Sequence, residues 1–454
     1  MSTAVRQYIR SLGLDAYVVG GAVRDELLGI PHKDEDFVVP GVDQTRLRAA
    51  LEPHGRVEDL EVHGQLVGVR FHPRDRAIRA LAPSGIELTP PRAERSIGPG
   101  HRDFAIVADP SISLEEDMGR RDFTVNAMAR RLETSELVDP YGGMGDLERR
   151  ELVTVSASSF RDDPLRILRG LRLVSQLGFE LAEPTLRQMR EHAGGLRHVS
   201  AERIGGGIAA DGLGELSKLL LGTQPVRALQ LARDTGALVA FLPEFEEVIG
   251  YGPTSERQTE SLDEHLFSVV GHAAAAGTSL TVRLAALLHD LGKPAADRNG
   301  EEHAAVGARV TGRVLRRLRY PTRLRDRVVA IVRAHSFKAE RSWAGAEARR
   351  FLARHGDELA PELVQLKLAD LAAKDVPDSE RAGARELARA LEAEATSPHR
   401  LSDLAVDGSD LIAAGFREGP ELGRVLQLLL DDVLTDPGRN ARDTLLARAR
   451  EELP

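Results

Sequence analysis

The sequence predicts a multidomain α+β protein, with a mixed β-sheet in an N-terminal head and only helices in the modules that follow. Three observations support this fold class. A chain of 454 residues is too long for one core and should form three or four domains. Strand-forming stretches and glycine turns lie in the first part of the chain, and apolar residues recur at helical spacing in the rest. The predicted boundaries are a head at 1–150, a neck at 151–250, a histidine-rich module at 251–396 and a tail at 397–454.

The composition excludes several classes of protein. Apolar residues make up 42% of the chain and charged residues 29%. No run approaches the roughly 18 apolar residues that a membrane span needs. The absence of cysteine excludes disulfides and thiolate metal sites, which fits a reducing cytoplasm. We therefore expect a cytoplasmic protein without a membrane partner, either a monomer or a homodimer. The net charge of −9 does not exclude RNA, because positive stripes can lie on an acidic body.

The head is organised around residues 17–39, YVVGGAVRDELLGIPHKDEDFVV. This segment predicts a strand, a glycine turn, a short helix and a second strand. Gly20 and Gly21 leave the backbone amides of the turn open to a ligand. The N-terminus of the helix and the guanidinium of Arg24 add positive charge there, which suits a phosphate group.

Two carboxylates follow on the second predicted strand. Asp34 and Asp36 are two residues apart, so the period of a strand sends both side chains to the same face. Two adjacent carboxylates repel each other unless a hard cation lies between them, so the pair predicts a magnesium site beside the phosphate cradle. A solvated turn is the alternative explanation for the acidic run taken alone.

These residues carry a resemblance to a known family. GGAVRDELLG followed by DED resembles the catalytic motif of the bacterial tRNA nucleotidyltransferase and poly(A) polymerase family, template-independent polymerases that build or repair the CCA end of tRNA. The resemblance implies a nucleotidyltransferase head with CTP and ATP as substrates, tRNA as partner and Mg²⁺ as cofactor. Asp34 and Asp36 are then the catalytic residues, and Gly20, Gly21 and Arg24 bind the nucleotide.

A second motif of the head is EEDMGRRDFTVNAMA. Arg121 and Asp122 place a forked cation and a carboxylate side by side, which suits a triphosphate and a ribose hydroxyl. Asn126, four residues after Asp122, would share a helical face with it. The segment resembles the family's ribose-recognition motif, which implies that these residues bind the nucleotide.

The segment RDDPLRILRGLRL predicts the first helix of the neck, with one basic and one buried side. Asp163 and Arg166 match the aspartate and arginine with which the family reads the incoming base, and Arg169 lies on the same basic side. Cytosine and adenine each offer an exocyclic amine beside a ring-nitrogen acceptor, so one carboxylate and one guanidinium serve both bases. Guanine and uracil would leave polar groups unpaired, at roughly 1 to 3 kcal/mol each. A plain helix capped by Asp163 is the alternative.

The rest of the head and neck carries weaker signals. Residues 43–51 predict a helix, and residues 65–71 and 77–81 predict strands. Prolines and glycines in ELTPPRAERSIGPGHRDF predict an irregular charged loop. The resembling family needs a flexible loop in this region for the final A, so the loop favours complete CCA addition. Residues 177–250 predict packed helices, interrupted by a glycine-rich patch at 205–214 to which the sequence assigns no role.

A second group of titratable residues lies beyond residue 264. Its members are His265, His289, Asp290, His303, His335 and Asp370. Imidazole and carboxylate ligands suit a divalent metal, or two metals bridged by Asp290, with a bound water as nucleophile. The ordered set resembles an HD-superfamily domain, which implies phosphodiesterase and phosphatase activity, with Mn, Ni or Fe as possible metals. Histidines satisfied within a helical core are the alternative.

Two features of the remaining helices point to RNA. Between Arg309 and Arg327 there are eight arginines and one acid. We expect four of them to contact the backbone of a folded RNA: Arg313, Arg316, Arg317 and Arg319. A solvated helix face paired with acids from elsewhere is the alternative. Residues 403–440 resemble the tail module of bacterial CCA-adding enzymes, with a glycine turn between two helices.

Other functions remain open from the sequence. A poly(A) polymerase with the same head would add A to arbitrary RNA, although this chain ends in ARAREELP instead of the basic extension typical of such enzymes. A partial enzyme would add only CC or only A. An HD phosphohydrolase with a vestigial head is the last alternative, and the intact DED and RRD motifs argue against it.

Overall fold

The computed structural model describes residues 3–31, 35–62, 65–96, 104–108, 110–206, 212–252, 259–339 and 343–453. Asp34 and the tip of the charged loop at 97–103 therefore lie outside the described residues. The chain divides into two compact units, Met1–Pro243 and Glu244–Pro454. Among the helices that the structure describes, none combines the length and apolar character that a membrane crossing requires.

A mixed sheet forms the centre of the first unit. The strands of this unit are β1 (Tyr17–Val19), β2 (Asp36–Val38), β3 (Gly55–Val62), β4 (Gln65–Pro73), β5 (Ile86–Thr89), β6 (Arg92–Ser96), β7 (Phe104–Ala108), β8 (Ala129–Arg131), β9 (Leu137–Val138), β10 (Glu151–Leu152) and β11 (Glu180–Leu181). Seven of them form one sheet in the order β3-β4-β5-β2-β1-β8-β9. β2 runs antiparallel to β1 and parallel to β5. The predicted mixed sheet of the head is thus confirmed.

The pairing of β1 with β2 brings the two central motifs together. Val19, the last residue of β1, lies opposite Asp36, the first residue of β2. Val18, Phe37 and Val38 are buried, because the centre of the sheet is covered on both faces, whereas Asp36 is exposed. The acidic start of β2 therefore lies beside the glycine turn that follows β1.

Helices form most of the rest of the first unit. They are α1 (Thr3–Ser11), α2 (Gly21–Leu27), α3 (Gln44–Leu51), α4 (Arg76–Leu81), α5 (Leu114–Gly119), α6 (Gly143–Arg149), α7 (Ser159–Asp162), α8 (Leu165–Leu177), α9 (Glu183–His192), α10 (Ala201–Ile204), α11 (Glu215–Leu220), α12 (Pro225–Asp234) and α13 (Ala237–Phe241). The apolar side of α8 packs against α11 and α12. The predicted basic and buried sides of α8 are confirmed, since Ile167, Leu168 and Leu171 are fully buried.

Two predicted elements of the head are wrong. Residues 77–81, predicted as a strand, belong to helix α4, because the side chain of Asp75 accepts hydrogen bonds from the backbone N–H groups of Ala77 and Ile78. The charged segment after Pro91 is not irregular throughout, because β6 and β7 pair as an antiparallel hairpin. Prolines flank this hairpin without interrupting its ladder.

The described residues of the second unit are helical. Its helices are α14 (Leu262–Ala275), α15 (Leu280–Leu288), α16 (Lys293–Asn299), α17 (His303–Arg317), α18 (Thr322–Ala334), α19 (Gly345–Ala372), α20 (Asp378–Glu394), α21 (Gly408–Ala413), α22 (Pro420–Thr435) and α23 (Arg442–Arg450). Helix α19 bends at Gly356, whose φ is 76°. The predicted glycine turn of the tail is confirmed, because Gly415 and Gly419 separate α21 from α22.

Candidate active site and metal centre

A cavity of about 740 Å³ opens in the first unit beside the start of β2. Its polar wall consists of Asp25, Asp36, Asp122, Asp163, Asn126, Arg24, Arg92, Arg120, Arg121, Arg166, Arg169, Arg172 and Arg203. Arginines outnumber carboxylates two to one, which suits a polyanion such as a triphosphate. The predicted nucleotide-binding side chains are therefore neighbours, although they come from α2, α8 and the segment after α5.

Gly20 occupies a position that no other residue would fill without strain. Its φ is 77°, and a Cβ built there would lie 2.5 Å from Nη1 of Arg121. Gly21 is different, because a Cβ there would make only ordinary contacts with Arg24, the nearest at 3.5 Å. The glycine turn thus brings β1 against the guanidinium of Arg121, a contact that the sequence did not predict.

Asp117 supports three residues of the cavity wall and was not predicted from the sequence. Its side chain is fully buried and accepts hydrogen bonds from Arg120 Nε at 3.1 Å, Arg121 Nη2 at 3.4 Å and the backbone N–H of Arg92 at 3.2 Å. Burial alone would raise the pKa of Asp117, but Arg120 and Arg121 hold it below its ordinary value. The signal was present as the i, i+3 and i, i+4 spacing of one acid and two arginines.

A chain of hydrogen bonds connects the glycine turn to the neck. Arg24 Nη1 donates to Asn126 Oδ1 at 2.7 Å, Asn126 Nδ2 donates to Asp122 Oδ1 at 2.9 Å, and Arg169 Nε donates to Asp122 Oδ2 at 2.7 Å. Burial would raise the pKa of Asp122, but Arg169 and Asn126 hold it well below its usual range. Asp122 and Asn126 meet as predicted, but through a 3-10 turn at Thr124–Asn126 and not through an α-helix.

The predicted base-reading pair lies at the start of α8. Asp163 Oδ1 accepts a hydrogen bond from the backbone N–H of Leu165, the first residue of α8, at 3.0 Å. Asp163 therefore also caps this helix. Its second oxygen lies 3.5 Å from Arg203 Nη2. Arg166 Nη2 donates to the backbone carbonyl of Arg120 at 2.6 Å. Both side chains line the cavity.

Residues on either side of the glycine-rich patch contact the polar wall of the cavity. Arg203 precedes the patch and contacts Asp163, and Glu215 follows it. Glu215 Oε2 lies 3.1 Å from Arg172 Nε, and its Oε1 lies 3.7 Å from Arg169 Nη1. The backbone of Gly214 donates to Gly205 O at 3.0 Å, so the two ends of the patch meet. Residues 207–211 between them lie outside the described residues.

Asp36 is the described member of the predicted magnesium pair. It is exposed at the first position of β2 and lines the cavity. A carboxylate oxygen on the wall of an arginine-rich cavity fits a hard divalent cation that accompanies phosphates. Asp34 lies outside the described residues, so the geometry of the pair stays a prediction.

The second unit gathers all six predicted metal ligands. His265 comes from α14, His289 and Asp290 follow α15, His303 begins α17, His335 follows α18 and Asp370 lies on α19. Two groups have ligand atoms within 4.8 Å of one another: His265, His289 and Asp290, and Asp290, His303 and His335. Asp290 Oδ2 lies 3.3 Å from His289 Nε2, and its Oδ1 lies 3.4 Å from His335 Nε2. The two oxygens of Asp290 thus face different histidine pairs.

The donor set of this centre fits a metal ion. His289 Nδ1 lies 3.0 Å from the carbonyl of Ala286, and His335 Nδ1 lies 2.7 Å from that of Val332. A carbonyl only accepts, so each Nδ1 carries a proton, and Nε2 is the ring atom of each histidine that faces the centre and is available to a metal. Four converging atoms are buried without a hydrogen bond of good geometry: His265 Nε2, His289 Nε2, Asp290 Oδ1 and Asp370 Oδ1.

The two buried carboxylates of the centre, Asp290 and Asp370, favour positive charge beside them. Burial would lower the pKa of His289, but the carboxylates of Asp290 and Asp370 raise it to about 9. Lys293 Nζ lies 2.7 Å from Asp290 Oδ2, and Lys374 Nζ lies 2.6 Å from Asp370 Oδ1. These two lysines were not predicted. A divalent cation between the carboxylates would satisfy the same demand.

The basic stripe of α17 and α18 is partly neutralised. Arg309 pairs with Glu301, Arg317 pairs with Glu244 and Arg327 pairs with Glu362. Arg313 and Arg316 are exposed and form no ion pair within the described part of the chain, and Arg319 is exposed as well. The stripe therefore presents fewer available cations than the sequence alone indicates.

The first unit has the fold and the cavity of a nucleotidyltransferase head, and the second unit contains the clustered histidines and aspartates of an HD domain. Family models agree with both assignments. The poly A polymerase head domain matches residues 16–153, and the HD domain matches residues 262–374. A third model, described as a probable RNA and SrmB-binding site of polymerase A, matches residues 178–249.

Curated relatives and solved structures extend the similarity along the chain. The multifunctional CCA protein of Azoarcus sp. (strain BH72) is 38% identical over 340 residues, which are 73% of this chain and 76% of that protein. The multifunctional CCA protein of Xanthomonas campestris pv. campestris (strain B100) is 35% identical over 425 residues, or 90% of this chain and 95% of that protein. The Bacillus stearothermophilus CCA-adding enzyme in complex with CTP aligns with a TM-score of 0.69 at 25% identity, over 99% of this chain and 96% of that chain. The chain belongs to the family of the multifunctional CCA proteins.

Proposed function

We propose that this protein adds C, C and A to the 3′ end of tRNA, with CTP and ATP as substrates and pyrophosphate as the product released. The observation that carries the proposal is the cavity that joins Asp36 to the arginines of three separate motifs. In each step the terminal 3′ hydroxyl attacks the α-phosphorus, a phosphodiester bond forms, the bond between the α- and β-phosphates breaks and the hydroxyl loses its proton.

Different side chains of the cavity wall have different roles in this reaction. Arg24, Arg121 and the turn at Gly20 and Gly21 hold the triphosphate, and Asp122 and Asn126 orient the ribose. Asp163 and Arg166 select the base, with Arg169 fixing Asp122 from the neck. Asp36, together with Asp34, would hold Mg²⁺. When bound, that ion neutralises phosphate charge and favours ionisation of the attacking hydroxyl.

The HD centre supports a second activity, hydrolysis of phosphate esters such as 2′,3′-cyclic phosphate and 2′-phosphate ends of RNA. His265, His289, Asp290 and Asp370 would hold one divalent metal, and Asp290, His303 and His335 a second. Mn, Ni and Fe suit imidazole ligands. A bound metal would supply an activated water, which adds to phosphorus as one P–O ester bond breaks. The exposed Arg313, Arg316, Arg317 and Arg319 would contact the RNA backbone.

The most informative experiment supplies tRNA that lacks one, two or three terminal nucleotides with CTP, ATP or both, and sizes the products. The proposal expects addition that stops at CCA and uses both nucleotides in order. Unlimited addition of A would instead assign a poly(A) polymerase, addition that stops at CC or requires a CC end would assign a partial enzyme, and no addition would leave the HD activity alone.

A further inference from the structure

The residue between the two predicted catalytic aspartates points away from the cavity. Glu35 has a fully buried side chain, whereas its neighbour Asp36 is exposed on the cavity wall. Two nitrogens of the Arg6 guanidinium, on α1, contact this buried carboxylate. Its Nη2 donates to Glu35 Oε1 at 2.8 Å, and its Nε lies 3.1 Å from Oε1 and 3.2 Å from Oε2.

This contact is one end of an alternating chain of charges. Arg6 Nη1 donates to Glu26 Oε2 at 2.5 Å, and Glu26 Oε1 lies 2.8 Å from Arg130 Nε. Glu26 belongs to α2, whose other end is the glycine turn, and Arg130 belongs to β8, where it pairs with Val18 of β1. The chain therefore connects α1, α2 and β8 to the residue before β2, with two positive and two negative groups.

The free-energy cost of burying a carboxylate restricts where the side chain of Glu35 can lie. A buried carboxylate is costly unless it is paired and hydrogen-bonded, so the contacts with Arg6 favour the buried position of Glu35. Successive side chains of an extended backbone point to opposite sides, so fixing Glu35 inward also fixes Asp36 outward. The partners that orient metal-ligating carboxylates commonly control both metal affinity and rate.

We propose that Arg6 and Glu35 are positioning residues that hold Asp36 in its metal-binding orientation. The proposal rests on the role of Asp36 in nucleotide addition. The competing explanation is that the pair only fastens α1 to the head. The chain offers a matched control, because Arg10 also lies on α1 and pairs with Glu133, with both side chains largely exposed. That pair fastens the same helix without contact to residue 35.

The experiment uses the full-length protein and measures the rate of CTP addition to shortened tRNA as Mg²⁺ is varied, together with denaturant unfolding. The principal variant is Arg6→Met/Glu35→Leu, because an apolar pair of similar volume often keeps stability when a buried ion pair is removed. Glu35→Gln keeps an acceptor for Arg6 and should be milder. Arg10→Ala is the control, and Asp36→Ala tests the underlying assignment.

We expect the double variant to need roughly 10- to 100-fold more Mg²⁺ for half-maximal rate, with unchanged KM for tRNA and a wild-type unfolding midpoint. Arg10→Ala should keep the Mg²⁺ dependence of the wild type. A double variant with wild-type Mg²⁺ dependence would overturn the proposal. A loss of rate that matches the loss of folded protein, and that added Mg²⁺ does not restore, would also overturn it. Addition by Asp36→Ala would overturn the assignment of Asp36 itself.

Discussion

Gly20 shows how one residue joins two motifs that are a hundred positions apart in the chain. Its positive φ ends β1 and starts α2, and its missing side chain leaves room for Arg121. The sequence predicted a turn that exposes backbone amides to a ligand. The structure adds a protein contact, because the guanidinium that should hold the triphosphate rests on the turn itself.

Gly20→Ala should raise the KM for CTP and ATP, because the added methyl group displaces Arg121. Gly13→Ala is the matched control, since Gly13 has a similar φ of 72° and no atom within 4 Å of a built Cβ. Both substitutions should cost stability through their backbone, by roughly 1 to 3 kcal/mol. Steady-state kinetics and denaturant unfolding separate the two effects. An equal change of KM in both variants would exclude a role for the contact with Arg121.

Individual site residues were predictable where they belong to a recognisable motif. Asp122, Asn126, Asp163 and Arg166 all line the cavity, as do most of the nucleotide-binding residues that the resemblance implied. Asp117 and Glu215 were not predicted. The spacing of Asp117 from Arg120 and Arg121 was a usable signal, whereas the contacts of Glu215 with Arg169 and Arg172 depend on the packing of α11 against α8, which a single sequence does not contain.

At the scale of elements, α5 acts as a support for the arginines of the cavity. Its one buried acid, Asp117, binds Arg120, Arg121 and the first residue of β6. The helix begins with a capping box between Ser113 and Glu116, which fixes the direction in which it presents Asp117.

Asp117→Asn should destabilise the protein by about 1.5 to 3 kcal/mol at pH 7. The pKa of Asp117 is lowered in the folded state, so its stabilising contribution is present above the unfolded pKa of about 3.9 and is lost as the pH falls through the lower folded value. The difference in free energy of unfolding between wild type and variant should therefore shrink below about pH 4. Glu115→Gln, an exposed neighbour on α5, is the control. A difference that is independent of pH would contradict the account.

The two errors in the predicted elements of the head have different local causes. Residues 77–81 have the apolar and branched character of a strand, but the Asp75 cap begins a helix there. The paired strands β6 and β7 escaped prediction because their flanking prolines and glycines dominate the local signal. The helices of the second unit were predicted better, since long periodic segments depend less on single residues.

At the scale of the whole molecule, the chain carries two chemically different centres in two compact units. The first unit holds an arginine-rich cavity with an acidic strand start. The second gathers imidazoles and carboxylates, some of whose buried atoms make no hydrogen bond of good geometry within the described residues. The two sets share no residue. The sequence predicted both sets, because each resembles a family motif, and it named Asp290 as a possible bridge between two metals. The distances between Asp290 and its histidine neighbours depend on the meeting of several helices, which the sequence does not give.

The most direct test of this account measures nucleotide addition and phosphate-ester hydrolysis in the same preparations of wild type, Asp36→Ala and Asp290→Ala. Asp36→Ala should lose CTP and ATP addition to shortened tRNA and keep hydrolysis of a 2′,3′-cyclic nucleotide in the presence of Mn²⁺ or Ni²⁺. Asp290→Ala should show the reverse. Addition that persists in Asp36→Ala, with the wild-type rate and product length, would contradict the claim that the head cavity is the site of CCA synthesis.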